Sequence, residues 1–289
     1  MRVLVAGATG VLGRELMPAL EAAGHEALGF SRRGGKDVRA IDALDIDAVA
    51  GLVASFRPDA VVNVLTAIPE DVNPRKVADA FAPTNRLRTE ATRNLIASAP
   101  EAFHVAESIA FIYEPGPGLA AEDDPVWGDP PEPFVPILAA VDTLERASLD
   151  AGGAVLRLGY LHGPGTGFAP EGGMTKLVRK RQMPLGGASA SVLPFLHTAD
   201  AATAFVAAIE RRERGVLNVV EDDPAPMREW LPAFARMIGA KRPRKLPVWM
   251  VRLAAGPYGV AFVNDIRGSS NARAKQTLGW TPTHHFPER

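Results

Sequence analysis

The first 33 residues, MRVLVAGATGVLGRELMPALEAAGHEALGFSRR, constrain the chain most strongly. Met1 to Ala6 form a short apolar run, glycines follow at positions 7, 10 and 13, Arg14 to Ala23 carry helical periodicity, and Ala27 to Ser31 form a second apolar run. Strand, tight turn, helix and strand in that order make a βαβ unit, because parallel strands need a crossover between them. The glycine spacing suits three tasks: Gly7 permits the tight turn, Gly10 lets backbone N–H groups approach an anion, and Gly13 lets the helix pack close to the strand. Gly7, Thr9, Gly10, Val11, Leu12 and Gly13 therefore read as a cradle that holds a dinucleotide pyrophosphate at the positive end of a helix.

The end of the second strand bears on which dinucleotide fits. An NAD site commonly has Asp or Glu about 20 residues past the glycines to bind the ribose 2′-hydroxyl. This chain has Ser31, Arg32 and Arg33 there. A guanidinium suits bidentate contact with a 2′-phosphate that a carboxylate would repel, so NADP(H) is expected in preference to NAD(H). The alternative is a solvated turn carrying two surface arginines.

Composition narrows the remaining classes. A formal net charge of −1 gives no global bias toward nucleic acid or an anionic membrane. The absence of cysteine removes disulfides, thiolate metal sites and a cysteine nucleophile, and no metal site is expected. The apolar stretch Val248 to Val263 is interrupted by Arg252, Gly256, Pro257 and Gly259, too short and broken to span a bilayer. No cleavable leader is visible, so a soluble cytoplasmic protein with a small-molecule substrate, monomeric or homodimeric, is the expectation.

Further apolar runs at Val38 to Ile41, Ala60 to Leu65, Phe103 to Ala106, Ala154 to Leu158 and Val216 to Val220 alternate with helical segments. The predicted helices include Phe81 to Ser98, Ile137 to Ala151, Ala199 to Arg211, Met227 to Gly239 and Val248 to Ala255. This rhythm predicts an α/β fold, a doubly wound parallel sheet of Rossmann type. Residues 1–165 are expected to form the dinucleotide-binding domain, with 195–222 returning to it. Residues 166–289 are expected to supply mainly a smaller, partly helical substrate domain. The proline-rich stretch from Pro115 to Pro136 predicts an extended loop over one end of the sheet.

Several segments appear in a recognisable order: the glycine motif, VLTAIP, APTNRLRTEATRNL (82 to 95), the Ser108 segment, LRLGYLHGPGTG (156 to 167), FLHTADAATA (195 to 204), GVLNVVEDDP (215 to 224) and SNARAKQTLGW (270 to 280). With these the chain resembles the extended short-chain dehydrogenase/reductases from end to end, in an atypical branch of the NAD(P)-dependent epimerase/dehydratase type. The resemblance implies adenine-side contacts at Asp42 and Ala43, contacts to the ribose and pyrophosphate at Leu65, Thr66 and Ala67, and Asn85 near the cofactor's reactive end. Asp42 can accept from an adenine amino group; alternatively it caps the following helix, predicted at Asp45 to Ser55.

Hydride-transferring members of that family usually pair a Ser with Tyr-x-x-x-Lys. A carbonyl that gains or loses hydride needs its oxygen protonated or deprotonated, and a nearby lysine cation brings the phenol pKa toward the working range. Aligning Glu145 with the family's glutamate puts Val141 at the lysine position and Ile137 at the tyrosine position. None of Tyr113, Tyr160 and Tyr258 has a lysine four residues later. Ser108 matches the family serine and can hydrogen-bond a substrate oxygen or its own backbone. Tyr160, His162 and Tyr113 are the other candidate proton donors, each equally able to serve as a wall residue, and Glu107 is a base only if burial raises its pKa.

The leading expectation is thus an NADP(H)-dependent oxidoreductase acting on a small carbonyl-containing or enone-type molecule without the usual Tyr and Lys. Two alternatives stand beside it: a redox-neutral isomerase, cyclase or dehydratase that retains its dinucleotide, and an NADP(H)-sensing binding protein.

Overall fold

β1 (Arg2–Ala6) is buried from its second residue onward, as a continuous apolar strand covered on both faces should be. In the computed structural model, which describes residues 1–69, 73 and 75–287, it leads through the glycine turn into α1 (Val11–Ala22) and β2 (Glu26–Ser31). The chain continues through β3 (Val38–Ala40), α2 (Ile46–Phe56), β4 (Ala60–Asn63), α3 (Val77–Arg86), a π-helical turn (Leu87–Ala91), α4 (Thr92–Ser98), β5 (Phe103–Ile109), α5 (Val135–Asp150) and β6 (Ala154–Leu158). Then come β7 (Tyr160–His162), α6 (Gly173–Arg179), β8 (Leu185–Gly186), β9 (Phe195–His197), α7 (Thr198–Arg211), β10 (Gly215–Val219), α8 (Met227–Met237), β11 (Lys245–Leu246), α9 (Val248–Asn264) and α10 (Ala272–Leu278).

Seven strands form one parallel sheet in the order β10-β6-β5-β4-β1-β2-β3. Strand order reverses between β1 and β4, where Val5 stands beside Val62 and Ala6 beside Asn63. Ligands of open α/β sheets bind beyond the carboxyl ends of the strands at such a switch point. Helices α1, α7 and α10 cover one face through Leu12, Leu16, Phe205, Ile209 and Leu278 over Val3, Val5, Val62, Val105 and Leu156. Leu52, Phe56, Leu87 and Leu95 pack over Leu4, Ala6 and Val61 on the other. A second cluster lies outside the sheet, where Phe168, Phe195, Trp230, Phe234 and Phe286 meet with ring centroids 4.4 to 6.3 Å apart.

Two predicted helices differ from those observed. The one expected over 81–98 starts at Val77 and contains a π turn, an irregularity that leaves the apolar periodicity on either side intact. The helix expected to stop at Ala255 is interrupted at Gly256, with φ 69°, and resumes at Pro257, whose fixed φ suits a helix start. The proline-rich stretch is pinned by isolated bridges from Tyr113 to Val126 and from Ala120 to Ser269. Among the described residues no helix is long and apolar enough to cross a membrane.

Candidate functional site

The turn after β1 has no room for a side chain at Gly7 or Gly13. A Cβ on Gly7 would sit 2.7 Å from the Val64 carbonyl oxygen, and Gly7 itself has φ 97°. A Cβ on Gly13 would lie 2.3 Å from the Gly7 oxygen and 2.6 Å from the Ala8 Cα. These are backbone contacts, which cannot swing away. Gly10 is the N-cap of α1, makes no side-chain cap bond, and no acidic residue stands in the first turn. The positive helix end beside Thr9, Val11 and Leu12 is therefore unneutralised by protein, as an anion site requires.

Around this turn, polar groups at the strand ends lack protein partners. Ser31 is 8% exposed, and its Oγ is buried without a hydrogen bond. Arg32 and Arg33 are exposed and form no ion pair with a described residue. The exposed Asp42 carboxylate accepts the Leu44 N–H at 3.0 Å, whereas α2 is capped by Asp45, which accepts from Ala48 at 3.1 Å. Capping thus belongs to Asp45, leaving Asp42 and the buried Ala43 at the crevice edge.

Beyond β4, the Leu65 N–H donates to Asn63 and the Ala67 N–H to Thr84, which fixes the path of Leu65, Thr66 and Ala67. Asn85, next to Thr84, has a buried Oδ1 without a partner. Arg14, which carried no reading from the sequence, places its guanidinium against Gly165, where a Cβ would come within 2.9 Å of Nη2. The crowded glycines and the orphaned polar atoms of Ser31 and Asn85 fit a dinucleotide in this crevice.

Ser108 and Tyr113 share one buried network. Ser108, 1% exposed, donates to Glu145 Oε1 at 2.6 Å, and Arg157 grips Glu145 bidentately, from Nε at 2.9 Å and from Nη2 at 2.6 Å. Arg157 Nη1 also donates to the Tyr113 hydroxyl at 2.8 Å, which in turn donates to Asn218 Oδ1 at 2.6 Å. The Asn218 N–H donates to Glu122 at 2.8 Å. Burial works against the Arg157 cation, but Glu145 and Tyr113 more than restore it, and its pKa is raised. Burial likewise pushes the Tyr113 hydroxyl up. The network joins β5, α5, β6, β10 and the proline-rich loop.

His162 lies elsewhere. Its Nε2 bonds Glu221 Oε1, whose other oxygen accepts the Phe286 N–H at 2.8 Å, and the rings of His197 and Phe286 each stand 5.0 Å away. Tyr160 stacks on Phe111 at 4.1 Å and meets Phe262 edge-on at 5.9 Å. Its hydroxyl is buried without a well-formed hydrogen bond, and burial, with Tyr258 adding to it, holds its pKa well above the ordinary tyrosine value. Ile137 and Val141 are 1% and 2% exposed, packed with Val77, Ile109, Ile112 and Phe134.

Two charged residues that sequence reasoning undervalued have unusual surroundings. Glu107 is the single residue of β5 that is not buried, and it makes no side-chain hydrogen bond to a described residue. Burial still raises its carboxyl to about 7, against the pull of Arg88. Arg88, in the π turn, is 4% exposed, with Nη1 unpartnered, and burial lowers its pKa against the attraction of Glu107 and Glu145. The available signal was spacing: Arg88 follows Asn85 by three residues and so shares its helical face. At the end of α6, Arg179 and Arg181 spend their guanidinium groups on the carbonyls of Pro170 and Arg242.

Comparison with known proteins agrees with this architecture. A 3-diazoavenalumate denitrifying reductase from a Streptomyces species is 44% identical, covering 98% of this chain and 97% of that protein. The structure of human epimerase family protein SDR39U1 with NADPH superposes with a TM-score of 0.76 at 25% identity, covering 100% of this chain and 96% of that one. A Thermus thermophilus UDP-glucose 4-epimerase in complex with NAD shares the fold, with a TM-score of 0.73 at 21% identity and coverage of 99% and 95%. The model of the NAD dependent epimerase/dehydratase family matches residues 3–220. With this match over a sheet of this order, the chain belongs to the NAD-dependent epimerase/dehydratase family, as an extended short-chain dehydrogenase/reductase and an NAD(P)-dependent enzyme of reductase or epimerase type.

Proposed function

We propose that this chain is an NADPH-dependent reductase whose acceptor is a small electron-poor molecule, with a diazo-bearing carboxylate the leading class and a carbonyl or enone the next. The observation that supports it most is the full-length 44% relative named as a denitrifying reductase, joined to a glycine turn that leaves a helix N-terminus open to a phosphate. Gly7, Thr9, Gly10, Val11, Leu12 and Gly13 would hold the pyrophosphate, and Ser31, Arg32 and Arg33 the 2′-phosphate. Asp42 and Ala43 would flank the adenine, and Leu65, Thr66, Ala67 and Asn85 would line the path to the nicotinamide. When bound, the cofactor supplies a hydride. The human relative's NADPH complex favours the phosphorylated coenzyme.

This chain's residues then position the acceptor and keep water from it. Ile137 and Val141 present aliphatic groups where the family's Tyr and Lys would stand, so the site has no phenol–ammonium relay on α5. Ser108 and Tyr113 hold the framework in place, since their hydroxyls are already committed to Glu145 and Asn218. His162 plays the same part through Glu221. Tyr160, stacked on Phe111 with Phe262 edge-on to it, serves as part of an aromatic wall for a flat acceptor.

The test is a titration of the purified protein with NADPH and NADH by nicotinamide fluorescence. It is followed by NADPH oxidation at 340 nm with an ortho-quinone diazide and a carbonyl panel, and by nitrogen release. Tighter NADPH binding, with NADPH consumed in step with nitrogen evolved, is expected. Binding of neither coenzyme, or product formed with no net NADPH loss, refutes the reductase reading; the second result indicates redox-neutral chemistry.

A further inference from the structure

Between Glu229 and Asp265 the chain carries no acidic residue and six cations, in a protein whose formal net charge is −1. Lys241, Arg242, Arg244, Lys245 and Arg252 lie in or just before the first half of α9; all are exposed, and none forms an ion pair with a described residue. Arg75 joins them from a distant part of the chain, its Nε donating to the Ala254 carbonyl at 3.2 Å. Among these charges α9 presents apolar side chains to solvent. Trp249 and Leu253, one turn apart, are 65% and 66% exposed, more than any other large apolar side chain among the described residues. Val248, at 40%, and Met250, at 38%, stand beside them. Val251 is the one buried residue of this half, and it rests on Gly186, where a Cβ would come within 2.6 Å of it. The half ends at Gly256. Beyond that break Tyr258 and Phe262 pack inward, with Phe262 5.9 Å from Tyr160. An apolar patch that folding leaves uncovered, bordered by charge of one sign, marks a surface with a partner.

We propose that the first half of α9 docks this protein on an anionic lipid bilayer, with Trp249 and Leu253 entering the acyl boundary and Arg244, Lys245, Arg252 and Arg75 meeting headgroup phosphates. The chemistry matches on both counts. A helix lying in the membrane interface sinks its apolar side chains roughly 5–10 Å, a tryptophan ring settles at headgroup level, and neighbouring cations are drawn to the negative leaflet. Other occupants suit the patch less. A second copy related by a two-fold axis would set the same surface against itself, cation against cation. A stable protein interface takes about 800 Å² from each partner. Val248 to Leu253 run for only about 9 Å along the helix. A bilayer needs no long complementary seam, only protruding apolar groups with cations beside them. Because the chain as a whole is nearly neutral, the attraction belongs to this face and fixes how the molecule sits on the surface. α9 continues from the docked face to the Tyr160 wall, so the bilayer adjoins the acceptor end of the crevice. The inference does not depend on the reductase reading.

The experiment mixes the full chain with vesicles of phosphatidylglycerol in phosphatidylcholine, and with vesicles of phosphatidylcholine alone. Binding is read by co-sedimentation, and insertion by quenching of tryptophan fluorescence with lipids brominated in the acyl chain. Of the other three tryptophans, Trp230 and Trp280 are 1% and 5% exposed and Trp127 is half-buried, so quenching reports on Trp249. Wild type should bind the anionic vesicles at least about tenfold more tightly than the neutral ones, be quenched on binding, and be released as NaCl is raised. Trp249→Ser with Leu253→Ser should lower partitioning about tenfold or more, as should Arg244→Gln with Lys245→Gln. Trp249→Phe should still bind but lose the quenching. All variants should keep the NADPH dissociation constant within about twofold, since these positions lie outside the dinucleotide crevice. No binding of wild type to anionic vesicles overturns the inference. So does binding that the Trp249→Ser, Leu253→Ser protein retains, or quenching that survives Trp249→Phe. Self-association in sedimentation velocity, lost in the double serine variant and unaccompanied by vesicle binding, overturns it in favour of a second copy. Should the double variants fail to fold, quenching of wild type against Trp249→Phe decides the matter.

Discussion

Replacing Glu107 by Gln should make the protein more stable at alkaline pH and leave it unchanged in acid. In the unfolded chain this carboxyl has its ordinary value of 4.5; in the fold, burial raises it to about 7. Between those two values the native state binds more protons than the unfolded state, so stability falls as pH rises, and the whole cost is in force above about 7. At ~1.4 kcal/mol per pH unit the gap corresponds to roughly 3 kcal/mol. Because Glu107 keeps contact with solvent, screening reduces this, and about 1–3 kcal/mol is the expected gain of Glu107→Gln at pH 8. At pH 4 both residues are neutral and the gain should vanish. Urea unfolding of ligand-free wild type and variant at the two pH values measures it directly, with equal m-values as the control for an unaltered fold. A variant equal to or weaker than wild type at pH 8 would show that the carboxylate is well solvated where it stands, and the reasoning from burial would collapse.

Other perturbations test separate parts of the site. Arg32→Ala with Arg33→Ala should weaken NADPH binding about 10- to 100-fold, equivalent to ~1.4–2.8 kcal/mol, and leave NADH within twofold, as isothermal titration calorimetry can resolve. Gly13→Ala forces a Cβ into the Gly7 and Ala8 backbone; circular dichroism melting should show a loss of about 1–3 kcal/mol, with NADPH affinity reduced more than tenfold. Glu145→Ala leaves Arg157 buried without its bidentate partner and should cost about 3–5 kcal/mol in chemical denaturation, whereas Glu145→Gln costs less because it retains one acceptor. Tyr160→Phe removes a buried hydroxyl that makes no well-formed hydrogen bond, so thermal stability should stay the same or rise by up to ~1 kcal/mol, and kcat should fall less than tenfold.

The sheet was legible because its information is local. Val3 to Ala6 is apolar at every position and Ala154 to Leu158 at every position but Arg157, as strands covered on both faces demand, and glycines at 7, 10 and 13 mark a turn whose crowding is confined to neighbours in sequence and the adjoining β4 end. Aliphatic residues at 137 and 141 could likewise be read directly. The π turn was not legible, since one extra residue per turn leaves the periodicity on either side unchanged, and neither was the resumption of α9 after Gly256, where the break signal is genuine but brief.

Which polar groups are occupied and which remain available was decided by the tertiary structure alone. Ser108 and Glu145 are 37 residues apart, and His162 and Glu221 59 apart; parallel register and helix packing bring each pair together, and no spacing rule in the chain encodes them. The same packing that satisfies Ser108, Tyr113 and His162 leaves the Glu107 carboxylate without a hydrogen bond to a described residue and the Arg88 Nη1 unpartnered. Backbone pattern depends on residues within a turn or two of one another, so sequence specifies it; desolvation and pairing depend on what the fold delivers from afar, and those terms separate a framework side chain from one free to react.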